Sequence, residues 1–584
     1  MSNASHAHVR RPVLSGREAC GATIGIMKTL SAAEMQACDH ATSEVYGVPS
    51  LELMRNAARA VVQVAQGQFP EARRIVVLCG RGNNGGDGMM AARLLAEAGL
   101  AVTVVLLGNP VGLKGDAAKA WREMTKTGQC VVHAVETEYD LEKVFASRSP
   151  DLVIDAVVGT GFEPPLRGLP LAALAWVKIW CDKSGSMPAT HILAIDLPSG
   201  WAADSTSSEP SNPVFPSDAV VTFTAPKPAH LFAQLTRRWD QPVIVASIGS
   251  PEAAIVSALA LSWAGSSLAA VQAPRPVASN KGMFGNVLVV GGSTGKWGAP
   301  AMTSLAALRA GAGLVTAAVP APGVAVVAGF APELMTWPLE TGADGLMQSS
   351  TLTPEVLARL IAGKTVLALG PGLGQSEETL MVINRLLSGT HVPVVIDADA
   401  LNLLASHRGL LSELGESARE GRTVVLTPHP GEMARLTGLT IADVQARRLE
   451  VAREFAQRLG MTLVLKGART LIAHPDGRVA VNTSGNPAMA KGGSGDMLTG
   501  VVAGLLAQHP AQPALAVEAA VCLHGLAADL TVNEGDEHTL LATDSLQHFS
   551  RAFRFCFSGR NGYVWLQGLP AISWPGAASP GGDE

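Results

Sequence analysis

Short runs of Val, Ile and Leu alternate with Ala-rich helical patterns along the chain, and the alternation starts twice. Strands that are apolar on both faces need helices covering both sides of a sheet. This pattern therefore implies doubly wound parallel sheets. In the first half, strands are expected at 74–79, 101–107, 151–157, 191–196, 219–224 and 242–248, with helices at 31–46, 51–66, 88–98 and 114–127. In the second half, strands are expected at 286–290, 313–319, 365–369, 393–396, 423–426 and 463–466, with helices at 301–311, 376–387, 431–437 and 441–458. The stretch 257–280, rich in Ala, Ser, Pro and Gly, reads as the linker between them. A chain of 584 residues is too long for one core. With no internal repeat, two unlike α/β domains are expected.

Composition narrows the partners. The chain is 47% apolar and 16% charged, with a net charge of −5. That balance gives no reason to expect nucleic acid or an anionic membrane. The seven cysteines (20, 38, 79, 130, 181, 522 and 556) form no Cys-x-x-Cys pair, so disulfide frameworks and zinc sites are not expected and a reducing cytoplasm fits. Residues 1–26 have no continuous apolar stretch and read as a disordered extension rather than a signal peptide. The least polar window, 253–271, is broken by Ser, Gly and Trp and is not read as a membrane span. The Gly-, Pro- and Ser-rich tail, 557–584, reads as disordered.

In the first half, a strand runs into Gly80-Arg-Gly-Asn-Asn-Gly-Gly-Asp-Gly88 and then a helix. Strand, glycine loop and helix together make a phosphate or dinucleotide holder, although this is not Gly-x-Gly-x-x-Gly. Asn83, Asn84 and Asp87 add side-chain oxygens, which suit a hard cation or a ribose. Ile154-Asp155-Ala-Val-Val-Gly159-Thr-Gly161 and Ile195-Asp196-Leu-Pro-Ser199-Gly200 end two further strands. Each Asp alone could be a turn or cap residue. In a parallel sheet, however, all three loops lie at one edge, which favours a site.

These three motifs resemble those of the NAD(P)H-hydrate epimerase family over about residues 27–250, with Leu197 replacing the family's usual Ile. The resemblance implies that Asn83, Asn84, Gly85, Gly86, Asp87, the segment Gly159, Thr160, Gly161, Phe162, Glu163, Pro164 and Pro165, and also Asp196 contact the hydrated nucleotide. It implies that Asn84, Asp155 and Ser199 hold a potassium ion, and it makes Asp196 the candidate acid–base group for exchanging the C6 epimers.

The second half carries its strongest signal at Asn486-Pro-Ala-Met-Ala-Lys-Gly-Gly-Ser-Gly-Asp-Met-Leu-Thr-Gly500. Gly492, Gly493 and Gly495 allow backbone amides to gather at the start of an apolar helix, a site for phosphate or for a phosphoryl group in transit. A carboxylate repels such a ligand, so Asp496 makes sense as a base for an attacking hydroxyl, or alternatively as a helix cap. Gly291-Gly-Ser-Thr-Gly-Lys-Trp-Gly-Ala299, Gly370-Pro-Gly-Leu-Gly374, Asp397-Ala-Asp399-Ala-Leu-Asn402, Thr427-Pro-His-Pro-Gly-Glu432 and Lys466-Gly-Ala-Arg-Thr470 decorate the same sheet edge. Lys466 and Arg469 would bring positive charge to a nucleotide's phosphates. Trp297 either stacks on a base or packs at the surface; His429 either orients substrate or bonds backbone; Asp397 and Asp399 either reach magnesium through water or cap their loop.

This set resembles the ADP- or ATP-dependent NAD(P)H-hydrate dehydratase family, a branch of the ribokinase-like fold, over about residues 281–555. The resemblance implies that Ala299, Gly372, His429 and Asp496 contact the hydrate, and that Lys466, Gly467, Ala468, Arg469, Thr470 and Gly495 contact the nucleotide. The fused layout resembles the bacterial form, for which ADP is the expected phosphoryl donor, with Mg2+. The expected organisation is an extension at 1–26, a Rossmann-like epimerase domain at 27–256, a linker at 257–280, a ribokinase-like dehydratase domain at 281–556 and a tail. The expected activity is repair of hydrated NADH and NADPH by a homo-oligomer in the cytoplasm. The alternative is a vitamin or sugar kinase fused to a non-catalytic nucleotide-binding module.

Overall fold

The computed structural model describes residues 25–145, 149–181, 190–343, 345–559 and 562–570. The expected extension, but for its last two residues, and the end of the expected tail lie outside these. Strands β1 (Arg74–Cys79), β2 (Ala101–Leu107), β3 (Val131–Val135), β4 (Leu152–Ala156), β5 (His191–Ile195), β6 (Ala219–Phe223) and β7 (Val243–Ala246) form a parallel sheet ordered β7-β6-β5-β4-β1-β2-β3. The chain reverses its winding between β1 and β4, the place where an open α/β sheet leaves a crevice for ligands.

After β8 (Leu261–Trp263), a second parallel array is built from β9 (Asn286–Val290), β10 (Leu314–Pro320), β11 (Met335–Leu339), β12 (Val366–Leu369), β13 (Val394–Ile396), β14 (Val424–Leu426) and β15 (Thr462–Leu465), ordered β11-β10-β9-β12-β13-β14-β15. Its switch point lies between β9 and β12. The antiparallel strands β16 (Leu471–Ala473) and β17 (Val479–Val481) extend it. Both doubly wound sheets expected from the apolar runs are thus present.

Two segments depart from expectation because they cross between the sheets. Residues 257–280 are not a free linker: β8 pairs in parallel with β17, and its other flank accepts the chain's start, with Thr29 N–H donating to Leu261 O (3.1 Å) and Trp263 N–H to Met27 O (3.0 Å). The expected tail likewise holds strand β18 (Tyr563–Gln567), which adds antiparallel to β7 of the first sheet. Apolar burial explains both. Trp263 is buried, donates its indole N–H to Thr483 (2.8 Å) and meets Phe557 edge-on at 4.9 Å, while Trp565 is buried in the core of the first sheet. A continuous apolar core joins Leu197 and Trp201 of the first domain to Val289 and Leu426 of the second.

Other differences are local. The glycine loop is shorter than expected, since the helix begins at Asn83 and runs to Glu97 with Gly82 as its N-cap. The pattern at 441–458 splits into Ile441–Ala446 and Arg448–Leu459. Helix Pro513–Val532 is long and apolar, but 83% of its most apolar window is buried inside the protein. Cysteines 38, 79, 130, 181 and 522 are free thiols.

Replacing Trp565 with Ala should cost about 3–5 kcal/mol, the usual range for a buried Trp. Urea denaturation should therefore show a lower midpoint; an unchanged one would mean that β18 contributes nothing to the first core.

Candidate functional site

The carboxyl ends of β1, β4 and β5 converge on a cavity of about 1040 Å3. The loop after β1 and the end of β4 touch closely: a Cβ at Gly80 would stand 1.9 Å from Val157 O, so only glycine fits. Asn83, Asn84, Asp87, Gly159, Thr160, Gly161, Phe162 and Asp196 line the cavity as expected. Gly85 and Gly86 do not; they are buried behind the wall, against Gly80 O and Met54. Glu163, Pro164 and Pro165 lie outside the lining, next to Phe162, which is part of it.

Asp196 leaves β5 with φ +66°, a left-handed conformation that Asp tolerates. The turn aims its buried carboxylate at several donors. Oδ1 accepts from Lys227 Nζ (2.8 Å) and the Thr222 hydroxyl (2.9 Å); Oδ2 accepts from the Thr160 amide (2.8 Å) and hydroxyl. His230 accepts the Lys227 N–H at Nδ1 (3.0 Å), so its Nε2 carries the proton given to Asp196 O (2.7 Å). Burial and Lys227 push the imidazole down to about 4, which keeps it neutral. Burial alone would raise the Asp196 carboxyl, but the Lys227 charge and the hydrogen bonds outweigh it and hold the group well below the usual carboxylate range. Asp196, the acid–base candidate of the sequence reading, is therefore held as an anion by this arrangement. Lys227, Thr222 and His230 escaped that reading. Lys227 lies 31 residues from Asp196, and no local spacing announces the pair.

Asp155 and Ser199 sit behind this wall, both buried. The Asp155 carboxylate accepts from Ser199 N–H (2.7 Å) and Oγ (2.6 Å), and burial raises it to about 6. The Asn84 side-chain nitrogen is buried without a partner.

In the second domain two cavities meet at the start of helix Ser494–Gln508. The smaller, about 460 Å3, is lined by Lys296, Ala299, Gly372, Asp399, Glu432 and Asp496 among others. The larger, about 770 Å3, is lined by His429, Lys466–Thr470, the 482–491 loop and Gly495. The helix is set by close packing on helix Gly298–Arg309: a Cβ at Gly500 would stand 2.1 Å from Thr303 O, and the Thr303 hydroxyl donates to Asp496 O (3.0 Å).

The cap reading of Asp496 fails. Gly493 (φ +94°) is the N-cap with no side-chain cap bond, and Asp496 stands in the first turn. Its carboxylate has no hydrogen bond or ion pair among the described residues, and burial with the Asp397 charge raises it to about 6. The first-turn amides lack intrahelical acceptors and add a positive end there. Lys466 Nζ donates to Asp397 Oδ1 (2.7 Å) and stands 3.9 Å from Glu432, whose carboxyl burial raises to about 7.

Arg469 (φ +56°), which also lines the larger cavity, turns its guanidinium toward Ala233 O (3.1 Å), Thr483 O (3.4 Å) and Gln567, and so ties the two domains together. His429 caps helix Pro430–Thr437, its Nδ1 accepting from Gly431 N–H (3.0 Å), and it lines the larger cavity. Trp297 packs on Gly323 and Gly292, away from both cavities. Asp399 is engaged by Gly374 N–H (2.9 Å), Gln375 (2.9 Å) and Lys296 (3.3 Å).

Comparison with known proteins bears on both sites. Residues 50–229 match the family described as YjeF-related protein N-terminus, and residues 287–550 match NAD(P)H-hydrate dehydratase. A bifunctional NAD(P)H-hydrate repair enzyme of Moorella thermoacetica is 39% identical over 541 residues, covering 90% of this chain and 97% of that one. The Escherichia coli enzyme of the same name is 35% identical over 515 residues, covering 87% and 90%. A crystal structure of ADP/ATP-dependent NAD(P)H-hydrate dehydratase from Bacillus subtilis, co-crystallized with ATP/Mg2+, is 34% identical, covers 49% of this chain and 95% of that one, and has a TM-score of 0.41.

The Asp196 geometry makes a prediction of its own. A carboxyl with a depressed folded pKa adds stability above its unfolded value of about 3.9 and loses it as pH falls further. Lys227→Met leaves that buried carboxylate unpaired and should cost about 3–5 kcal/mol at pH 7. Burial then raises the Asp196 carboxyl, so the variant's deficit should shrink in urea melts as pH falls from neutral and that carboxyl takes up its proton. A deficit that is absent, or constant with pH, would refute the role given to the pair.

Proposed function

The chain belongs to the family of bifunctional NAD(P)H-hydrate repair enzymes, and from that membership we propose that it restores hydrated NADH and NADPH. The first domain exchanges the R and S forms at C6; the second dehydrates the S form, using ADP as phosphoryl donor. The observation that carries this reading is Asp496: an unpaired carboxylate lining the smaller cavity, next to Gly495 of the larger one, in the first turn of a helix.

The chemistry follows from that placement. Hydroxide is a poor leaving group, so the C6 hydroxyl must first be converted. The hydrate occupies the smaller cavity, and its C6 oxygen attacks the terminal phosphorus of ADP held in the larger one. Asp496 takes the hydroxyl proton, the amides stabilise the charge on the moving phosphoryl group, and AMP leaves. The C6–O bond of the phosphate ester then breaks, phosphate departs with the C6–O electrons, and loss of the C5 proton forms the C5–C6 double bond. Lys466 supplies positive charge from the loop facing the nucleotide.

Metal requirements differ between the sites. Among the described residues, no group of three or more His, Cys, Asp or Glu is placed to hold a metal. That suits Mg2+ carried on nucleotide phosphates, with Asp399, Glu432 and Asp496 lining the cavity beside it. In the first domain, Asp155 is buried with hydrogen-bond donors but with no cation beside it among the described residues, and the Asn84 side chain would have to offer its Oδ1, not its unpartnered nitrogen, to a cation. With Ser199 these are hard donors that fit a potassium ion, which would neutralise Asp155 behind the Gly159 turn. A kinase of another small molecule is disfavoured, because it leaves the first cavity and its three motifs without a role.

The test mixes the protein with both epimers of hydrated NADH, potassium and magnesium, and with ADP, ATP or neither, following the return of dihydronicotinamide absorbance. Full recovery with ADP is expected; no recovery with either nucleotide would overturn the reading. Asp496→Asn should lower dehydration by at least about 100-fold while leaving nucleotide binding intact. The wild-type rate should rise with pH through about 6, where Asp496 loses its proton. Retained turnover in the variant would remove Asp496 from the chemistry.

A further inference from the structure

Asp39 belongs to none of the motifs, yet it lines the first domain's cavity with Asp87, Thr160, Asp196 and Lys227. It stands on helix Ala32–Glu44, one turn beyond Gln36. The Gln36 amide comes within 3.4 Å of where a Cβ on Gly161 would be, so this helix face covers the Gly159–Gly161 turn. The helix is firmly anchored. Ser31 and Glu34 form a capping box, Glu34 Oε1 accepts from Ala258 N–H (2.6 Å), and Asp204 Oδ1 accepts from Ala32 N–H (2.8 Å). One oxygen of the Asp39 carboxyl is buried with no hydrogen-bond partner. A carboxyl oxygen kept in a cavity without a partner is costly, and such a group makes sense if a ligand supplies the missing bond.

We propose that Asp39 is the acid–base group of epimerisation, passing a proton to and from the C6 oxygen, while Asp196 with Lys227 forms a fixed ion pair that orients the substrate. The inference rests on the repair reading of this cavity. In the protonated state Asp39 gives its proton to the C6 oxygen; the C6–O bond breaks, water departs, and the ring-nitrogen lone pair forms a C6–N1 double bond. Water then adds to the opposite face of C6, the nitrogen regains its pair, and the surplus proton returns to the Asp39 carboxylate. Nothing is oxidised or reduced. The charged and titratable groups facing Asp39 are Lys227, Asp196, Asp87 and its own neighbour Cys38. Burial and the Asp196 charge raise its carboxyl, Lys227 opposes them, and the balance falls at about 6, where both protonation states are populated near neutral pH.

The test uses the full-length chain and separates the two epimers chromatographically, without nucleotide. Asp39→Asn should lower kcat for interconversion by about 100-fold or more, with KM for the hydrate nearly unchanged and the wild-type pH limb near 6 lost. Dehydration of the S form, performed by the other domain, is the internal control for folding. If the Asn variant fails that control, Asp39→Glu reads the same point, since it keeps the carboxyl and should retain a reduced kcat and a pH limb. Interconversion by Asp39→Asn within about threefold of wild type overturns the inference, as does a loss confined to KM or a persistent pH limb. A wild type with no epimerisation overturns the repair reading itself, and this inference with it.

Discussion

Every strand of a parallel array leaves the sheet at the same edge, and both sites depend on that constraint. In the first sheet it brings the ends of β1, β4 and β5 around one cavity. In the second it brings the ends of β9, β12, β13, β14 and β15 to the start of helix Ser494–Gln508. The switch point in each strand order then opens the crevice. Glycines let the loops close on each other, as Gly80 does against Val157 and Gly500 against Thr303.

Within these frames the two domains treat buried carboxylates in opposite ways. Asp196 is surrounded by Lys227, Thr222 and Thr160, and its charge is fully compensated. Asp496 is left without a bond beside a helix start, and neighbouring acids raise its proton affinity. The first arrangement favours a permanent anion and the second a group that exchanges protons. This contrast is what leads us to assign the acid–base role in the first cavity to Asp39, whose environment resembles that of Asp496 more than that of Asp196.

The crossing strands give the two activities a shared scaffold. β8 and the Met27–Thr29 segment bind the chain's start to the second sheet, and β18 binds its end to the first. Arg469, from the loop facing the nucleotide cavity, bonds Ala233, one residue beyond helix Pro228–Phe232, whose His230 holds the Asp196 backbone. The sites are thus supported by common elements.

The alternating apolar runs, the glycine-rich turns and the oxygen-bearing strand ends were legible in the residues alone. They reflect backbone sterics and side-chain period, which act over a few positions. From them follow two wound sheets and the strand ends around which the two sets of cavities form. Other features depended on tertiary structure. Lys227 reaches Asp196 from 31 residues away, Asp39 arrives on a helix with no motif, and β18 pairs with a strand more than half the chain earlier. Arg469 reaches carbonyls on both domains, which its own loop does not announce. Such choices depend on which distant groups share a buried volume and balance each other's charge, and no local pattern encodes that.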